Sequence, residues 1–130
     1  MATTTTRIVI SSTDLLSAAL TVDNTSTLTQ AGGSTAIAQT TGLAATLNGG
    51  TSIYTIYAKG SYNDDEAAKV YIKNKSTNAT HYVLITIEGT TVGRLYAGDW
   101  ALIPWDTTGD FKCTNSDATI SIEHMLFHEG

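Results

Sequence analysis

A handful of residues in this chain have types that could do chemistry. Asp64-Asp65-Glu66 is its one dense carboxylate cluster. A hard cation such as calcium takes roughly six to eight oxygen ligands, so clustered carboxylates are where such a site would lie. The alternating Asp spacing of a calcium loop is absent, and neighbouring side chains here diverge. The expectation is therefore a solvated loop tip. His124 and His128 stand four positions apart. On a helix that spacing puts two imidazoles on one face, as in a zinc pair. The surrounding residues alternate instead, with Ile120, Ile122, His124 and Leu126 set against Ser121, Glu123, Met125 and Phe127. On a strand the two rings lie about 13 Å apart, too far to share an ion. His81 falls at a strand start, and all three histidines read as structural. Cys113 is the only cysteine, so no intrachain disulfide forms. Its one cationic neighbour, Lys112, points to the opposite face of a strand, and a reactive thiolate needs such a partner close by. Cys113 reads as a small buried apolar side chain. The motifs GxSxG, HExxH, GxxxxGK[ST] and GxGxxG are all missing, and no carboxylate pair is placed for acid–base work. The expectation is a protein that is not an enzyme and needs no cofactor or metal.

The totals point the same way. The 130 residues suffice for one domain and one core, burying roughly 65–70% of the unfolded surface. Charged residues make up 15% of the chain, against a usual share of about 25%. The polar surface must then consist largely of Thr, Ser, Asn and Gly. A net charge of -5, with the few basic residues scattered from Arg7 to Lys112, argues against nucleic acid, which needs clustered Lys and Arg. MATTTT lacks a basic leader and Arg7–Ile10 is too short for a leader's apolar segment. No apolar run approaches the roughly 20 residues of a membrane-spanning helix. No membrane partner is expected, and synthesis is expected in a cytoplasm.

The elements that would carry these residues are strands. Val70–Ile72, Tyr82–Ile87 and Trp100–Trp105 are short, rich in β-branched and aromatic residues, and bounded by Asn, Ser, Thr, Asp or Gly. In Tyr82–Ile87 the set Val83, Ile85, Ile87 is wholly apolar and should face a core. Further strands are expected at Arg7–Ile10, Ala18–Val22, Thr27–Gln30, Thr35–Gln39, Thr51–Ala58, Ala68–Asn74, Val92–Tyr96, Phe111–Thr114 and Ala118–His128. Leu15–Leu20 and Leu43–Leu47 stay open between a helical turn and a strand. In Thr51–Ala58 alternation sets Ile53, Thr55 and Tyr57 against Tyr54, Ile56 and Ala58. Both faces are partly apolar, so the strand is central or covered by a partner. Turns are expected at Ser12–Asp14, Ala31–Ser34, Asn48–Gly50, Asn74–Asn78, Glu88–Thr91 and Ala97–Asp99, and loops at Gly60–Ala67 and Asp106–Asp110. Pro104 marks an edge or a strand end. Eight to ten short strands with turns every 8–12 residues predict an all-β fold, an antiparallel β-sandwich of jelly-roll type. Residues 1–6 read as a flexible N-terminal arm or the start of an edge strand, and residues 7–130 as a single sandwich domain. The Trp100–Trp105 strand and the C-terminal strand are apolar on both faces. Trp100, Ile103, Trp105, Met125 and Phe127 are therefore the candidate interface residues.

The run Tyr71–Asn74 (YIKN), the turn Leu95–Asp99 (LYAGD) and the apolar strand ending Pro104-Trp105, followed by IEHMLF, resemble small virion proteins of tailed bacteriophages in their order. The likeness spans Ala68–Phe127. It implies a β-sandwich or jelly-roll unit at the virion's capsid surface, acting as a head decoration (cement) protein. Its partners would be the major capsid protein and further copies of itself, as a dimer or trimer. The alternative is a tail, fibre or baseplate module that binds host glycans, with Trp100, Trp105 and Tyr62 exposed for sugar stacking.

Overall fold

Period-two alternation of apolar and polar residues puts one face of a strand into a core and leaves the other free, and this pattern dictates the architecture. A computed structural model of the protein describes residues 3–13, 20–29, 39–47, 50–62 and 68–128. Among the described residues there are eleven strands and no helix. They are β1 (Thr3–Ser12), β2 (Leu20–Thr29), β3 (Gln39–Thr40), β4 (Ala44–Leu47), β5 (Tyr54–Tyr57), β6 (Ala68–Asn74), β7 (Tyr82–Ile87), β8 (Thr90–Tyr96), β9 (Trp100–Trp105), β10 (Phe111–Asn115) and β11 (Ser121–His128). Every pairing is antiparallel.

One sheet has the order β5-β10-β7-β8 and the other β3-β11-β6-β9, with β4 also pairing β11. β3 and β4 pair with successive parts of β11 and act as one interrupted edge strand. Thr41 bridges the interruption: its N–H donates to the Leu126 carbonyl, and its hydroxyl accepts from the Leu126 N–H. Read this way, the order β4-β11-β6-β9 against β5-β10-β7-β8 is that of the eight-stranded jelly roll, the two-Greek-key form of the antiparallel sandwich. The fold class expected from the sequence is the one observed.

The inner faces meet in a core of Val70, Ile72, Val83, Ile85, Phe111, Cys113, Ile120, Ile122 and Leu126 with their neighbours. One end of the core is aromatic. Tyr57, Trp105 and Phe111 lie with ring centroids 6.1–6.4 Å apart, and Tyr62 packs edge-on against Trp105. The Trp105 indole N–H donates to the Gly109 carbonyl, which satisfies the one polar atom this burial would orphan. Gly109 is required there, because a Cβ would stand 2.7 Å from that of Glu88. Glu88 and Gly89 form the β7–β8 turn with φ of 46° and 76°, the doubly positive pair of a type I′ hairpin. The opposite end is polar. Asn74 and Asn115 are fully buried; Asn74 is hydrogen-bonded across the sandwich to Leu95, and Asn115 to Ile120 in the β10–β11 connection.

β1 and β2 stand apart as a two-stranded ribbon paired over Thr3–Ser12 and Leu20–Thr29. β1 begins at Thr3, within the segment read as an arm or the start of an edge strand. The structure also revises β5. It is an edge strand, and a bulge interrupts its pairing with β10: Tyr57 pairs with Phe111 and Thr55 with Lys112. The extra residue, Ile56, breaks the alternation, so Tyr54 and Tyr57 both turn inward rather than to opposite faces. Leu43–Leu47 resolves as strand β4, and β9 is an edge strand, as Pro104 required. All but Leu20 of the open segment Leu15–Leu20, the turn at Ala31–Ser34, most of the strand Thr35–Gln39, Asn48-Gly49 and the Asp64–Glu66 cluster lie outside the described residues.

His124 sits on the inner side of β11 with little exposure, its Nε2 2.8 Å from the Thr46 hydroxyl and its Nδ1 2.8 Å from the Tyr57 hydroxyl. A neutral imidazole has one donor and one acceptor, so one hydroxyl donates to the ring and the other accepts from it. Burial lowers the His124 pKa from its ordinary value. The unfolded chain therefore takes up a proton at this site before the folded one does. Stability falls as pH drops through about 6.5, the unfolded value. Urea midpoints at pH 7.5 and 5.5 are expected to differ more for the wild type than for His124→Gln. An equal shift in both would remove His124 as the source.

Candidate functional site

The outer face of the β11-β6-β9 layer carries an apolar patch of half-buried side chains around the exposed Trp100. Register fixes its layout. β6 places Tyr71 between Leu102 of β9 and Met125 of β11. One pair along, Lys73 lies between Trp100 and Glu123, and on the other side Lys69 lies between Pro104 and Phe127. Side chains directly opposite on an antiparallel pair share a face, so these three rows form one patch. The Tyr71 hydroxyl donates to Glu123 Oε1 at 3.0 Å. Desolvation first, and then the Glu123 carboxylate, raise the Tyr71 pKa. The hydroxyl therefore stays protonated and keeps donating. Lys69 and Lys73 flank Tyr71 with aliphatic stems that extend the apolar area while their amines reach water.

The five candidate interface residues divide between two environments. Trp100, at 52% exposure, lies on this outer face with Met125 and Phe127. Trp105, at 3% exposure, belongs to the core, and Ile103 packs against it. Ile103 and Trp105 are corrected to core residues: the pairings Ile103–Val70 and Trp105–Ala68 put them on the buried side of β6. Sequence reasoning missed Tyr71, Leu102 and Pro104. Their signal was present, since they sit at even spacing from Trp100 or between the two lysines of β6.

The N-terminal ribbon borders the patch. Thr5, Thr6 and Arg7 of β1, with Tyr71, Trp100, Leu102, Met125 and Phe127, line a groove of about 290 Å³. Arg7 is held by Asp23 of β2 through two hydrogen bonds of 2.8 and 2.6 Å, so the ribbon wall of the groove carries no net charge.

The residues weighed for chemistry are dispersed. Cys113 is fully buried, and desolvation pushes its thiol up to about 12, far from a reactive thiolate. His81 accepts or donates within its own loop, bonded to Ser76 and Asn78. His128 stacks on Tyr62. Among the described residues no group of three His, Cys, Asp or Glu side chains is placed to hold a metal ion. Of the aromatics expected to stack sugars, Trp105 is buried and Tyr62 packs against it. The exposed pair Tyr96 and Trp100 flank one turn but lie on opposite outer faces, because their neighbours Leu95 and Ala101 both point inward. They make no common platform. Compared with known proteins, the chain matches no family model, and no curated protein matches it in sequence.

Proposed function

We propose that this protein is a capsid decoration (cement) protein of a tailed bacteriophage, which assembles with copies of itself and stabilises the head shell by binding the major capsid protein. The outer face of β11-β6-β9 carries the proposal. It presents Tyr71, Trp100, Leu102, Met125 and Phe127 together on a rigid sheet. Contiguous apolar surface of this kind on a low-charge body favours a macromolecular neighbour over a small polar ligand. Its aromatic and Met content matches interface cores. A shell offers many equivalent seats, so contacts burying about 800 Å² per partner, each modest, add up through multivalency. The resemblance of Ala68–Phe127 to small virion proteins supports the same role. The glycan-binding alternative is weakened with Trp105 buried and Tyr62 half-buried against it.

Heads stripped of this protein should rupture at lower temperature and under milder osmotic shock than intact heads. Adding back the wild type should restore resistance, and Met125→Lys should not. Stripped heads as robust as intact ones would end the proposal.

A further inference from the structure

The β1–β2 ribbon has no place in either sheet of the jelly roll. A two-stranded ribbon alone in water is marginally stable at best, so a ribbon paired over ten residues on each strand needs a surface to lie on. Its two faces differ. Arg7, Val9 and Asp23 share one, where the Arg7–Asp23 ion pair lies beside an exposed Val9. Ile8, Ile10 and Val22 share the other, where Ile8 is 40% and Ile10 52% exposed. The ribbon thus has an apolar face left open to water. The sandwich has an apolar sheet face with the same need.

Within one chain these two surfaces barely meet. Among the described residues, Thr5–Arg7, the polar start of β1, line the groove beside Tyr71, Trp100 and Met125, while Ile8 and Ile10 are exposed. That contact already sets the N-terminal ribbon of this sequence beside the sheet face. Thr29 and Gln39 are ten residues apart in sequence, so the link between ribbon and sandwich can span at most about 35 Å. Charge permits the encounter. Two bodies of net charge -5 repel, but the ribbon pairs Arg7 with Asp23, and the sheet face sets Lys69 and Lys73 against Glu123.

We propose that the ribbon is an exchange arm: its Ile8–Ile10–Val22 face lies on the Tyr71–Leu102–Met125 face of a second copy of this chain. This rests on the reading above, in that it names the neighbour that covers this face in a homo-oligomer. The contact sets one copy's ribbon on another copy's sheet, which a two-fold axis makes a reciprocal pair and any other closing rotation a ring.

The test uses the full chain, with light scattering at micromolar concentration and no shells. Ile8→Thr/Ile10→Thr removes apolar area but keeps β-branched residues, so the ribbon can still form. Met125→Lys keeps a stem over Tyr71 and places a charge in the contact. The wild type should be an oligomer, and each variant should fall to the 13.7 kDa monomer with an unchanged β-type circular-dichroism spectrum. Mixing the two variants should restore association, because one supplies an intact sheet face and the other an intact ribbon. Symmetric ribbon-to-ribbon or face-to-face contacts cannot give that rescue. A monomeric wild type, variants that remain oligomeric, or a mixture that stays monomeric would overturn the exchange. A monomer that still restores stripped heads would leave the cement reading standing. An exchanged oligomer that fails to restore them would remove the cement reading alone.

Discussion

Phe111→Ala is expected to cost about 3–5 kcal/mol of folding stability, the usual range for deleting a buried aromatic ring. Phe111 has no exposed surface and opens β10, the strand between β5 and β7. Its ring meets Tyr57 edge-on at 6.4 Å and Trp105 at 6.3 Å. Removal leaves a void with aromatic walls, and those walls are anchored. Tyr57 is held through its hydroxyl to His124, and Trp105 through its indole to Gly109. Neither ring can swing in to fill the gap without breaking a buried hydrogen bond, so the cavity collapses little and the cost sits high in the range. Against a typical domain stability of about 5–15 kcal/mol, that is a large fraction. Phe111→Leu keeps most of the volume and should cost under about 1.5 kcal/mol. Trp100→Ala, on the exposed outer face, should stay within about 0.5 kcal/mol for the isolated chain. Urea unfolding followed by tryptophan fluorescence and circular dichroism, at one fixed protein concentration, gives the ranking. A Phe111→Ala variant no weaker than Trp100→Ala would mean that the aromatic end is not part of the core.

Much of this fold was legible from alternation alone, and β9 shows where legibility stops. Its odd and even positions, Trp100-Leu102-Pro104 and Ala101-Ile103-Trp105, are both apolar. Period two says that these sets face opposite ways and leaves open which one is inside. The choice is made by pairing with β6, whose Val70 and Ile72 face a core unambiguously. Ile103 and Trp105 follow them inward, and Trp100 is left outside. Strand-by-strand reading could not place those three residues, because the deciding information lies thirty residues away. β5 failed differently. A bulge at Ile56 shifts the side-chain phase by one, and no residue in Thr51–Ala58 marks it as Gly would. The ribbon was half legible. A Thr-rich start has the β-branched residues of a strand, yet too little apolar weight to predict a sheet of its own.

Asn74 was legible only as the residue where a strand meets a turn, and its structural task depends on the opposite sheet. The Asn74 amide Nδ2 donates to the Leu95 carbonyl at 3.0 Å, and its Oδ1 accepts from the Ser76 N–H at 2.9 Å. Leu95 lies on β8 in the facing sheet, so this side chain ties the two layers together. The backbone of Asn74 adds to the tie: its N–H donates to the Asp99 carbonyl, and its own carbonyl accepts from Gly98. Asn115 instead braces its own sheet and the β10–β11 connection, with Nδ2 donating to the Ile120 carbonyl and Oδ1 accepting from the Tyr54 hydroxyl of β5. Asn74→Asp keeps the shape and removes the donor. It faces a carboxylate oxygen against the Leu95 carbonyl and buries a charge with no cation recorded beside it. Leaving the buried acceptor unmet costs about 1–3 kcal/mol, and the buried charge adds to it, for a total of about 3–5 kcal/mol at pH 7.5. The pH dependence separates this from simple loss of packing. Burial raises the folded-state pKa of the new carboxyl above its unfolded value, so the folded state binds the proton more tightly. The penalty is then full at high pH and shrinks as pH falls through the folded pKa, where the protonated carboxyl can donate to Leu95 again. Asn74→Ala has no such group, and its deficit relative to wild type should not change with pH. Chemical unfolding of the three proteins between pH 7.5 and 5 reads the difference directly. A constant Asn74→Asp deficit across that range would mean that water reaches the carboxyl, and that Asn74 does not seal the polar end of the sandwich.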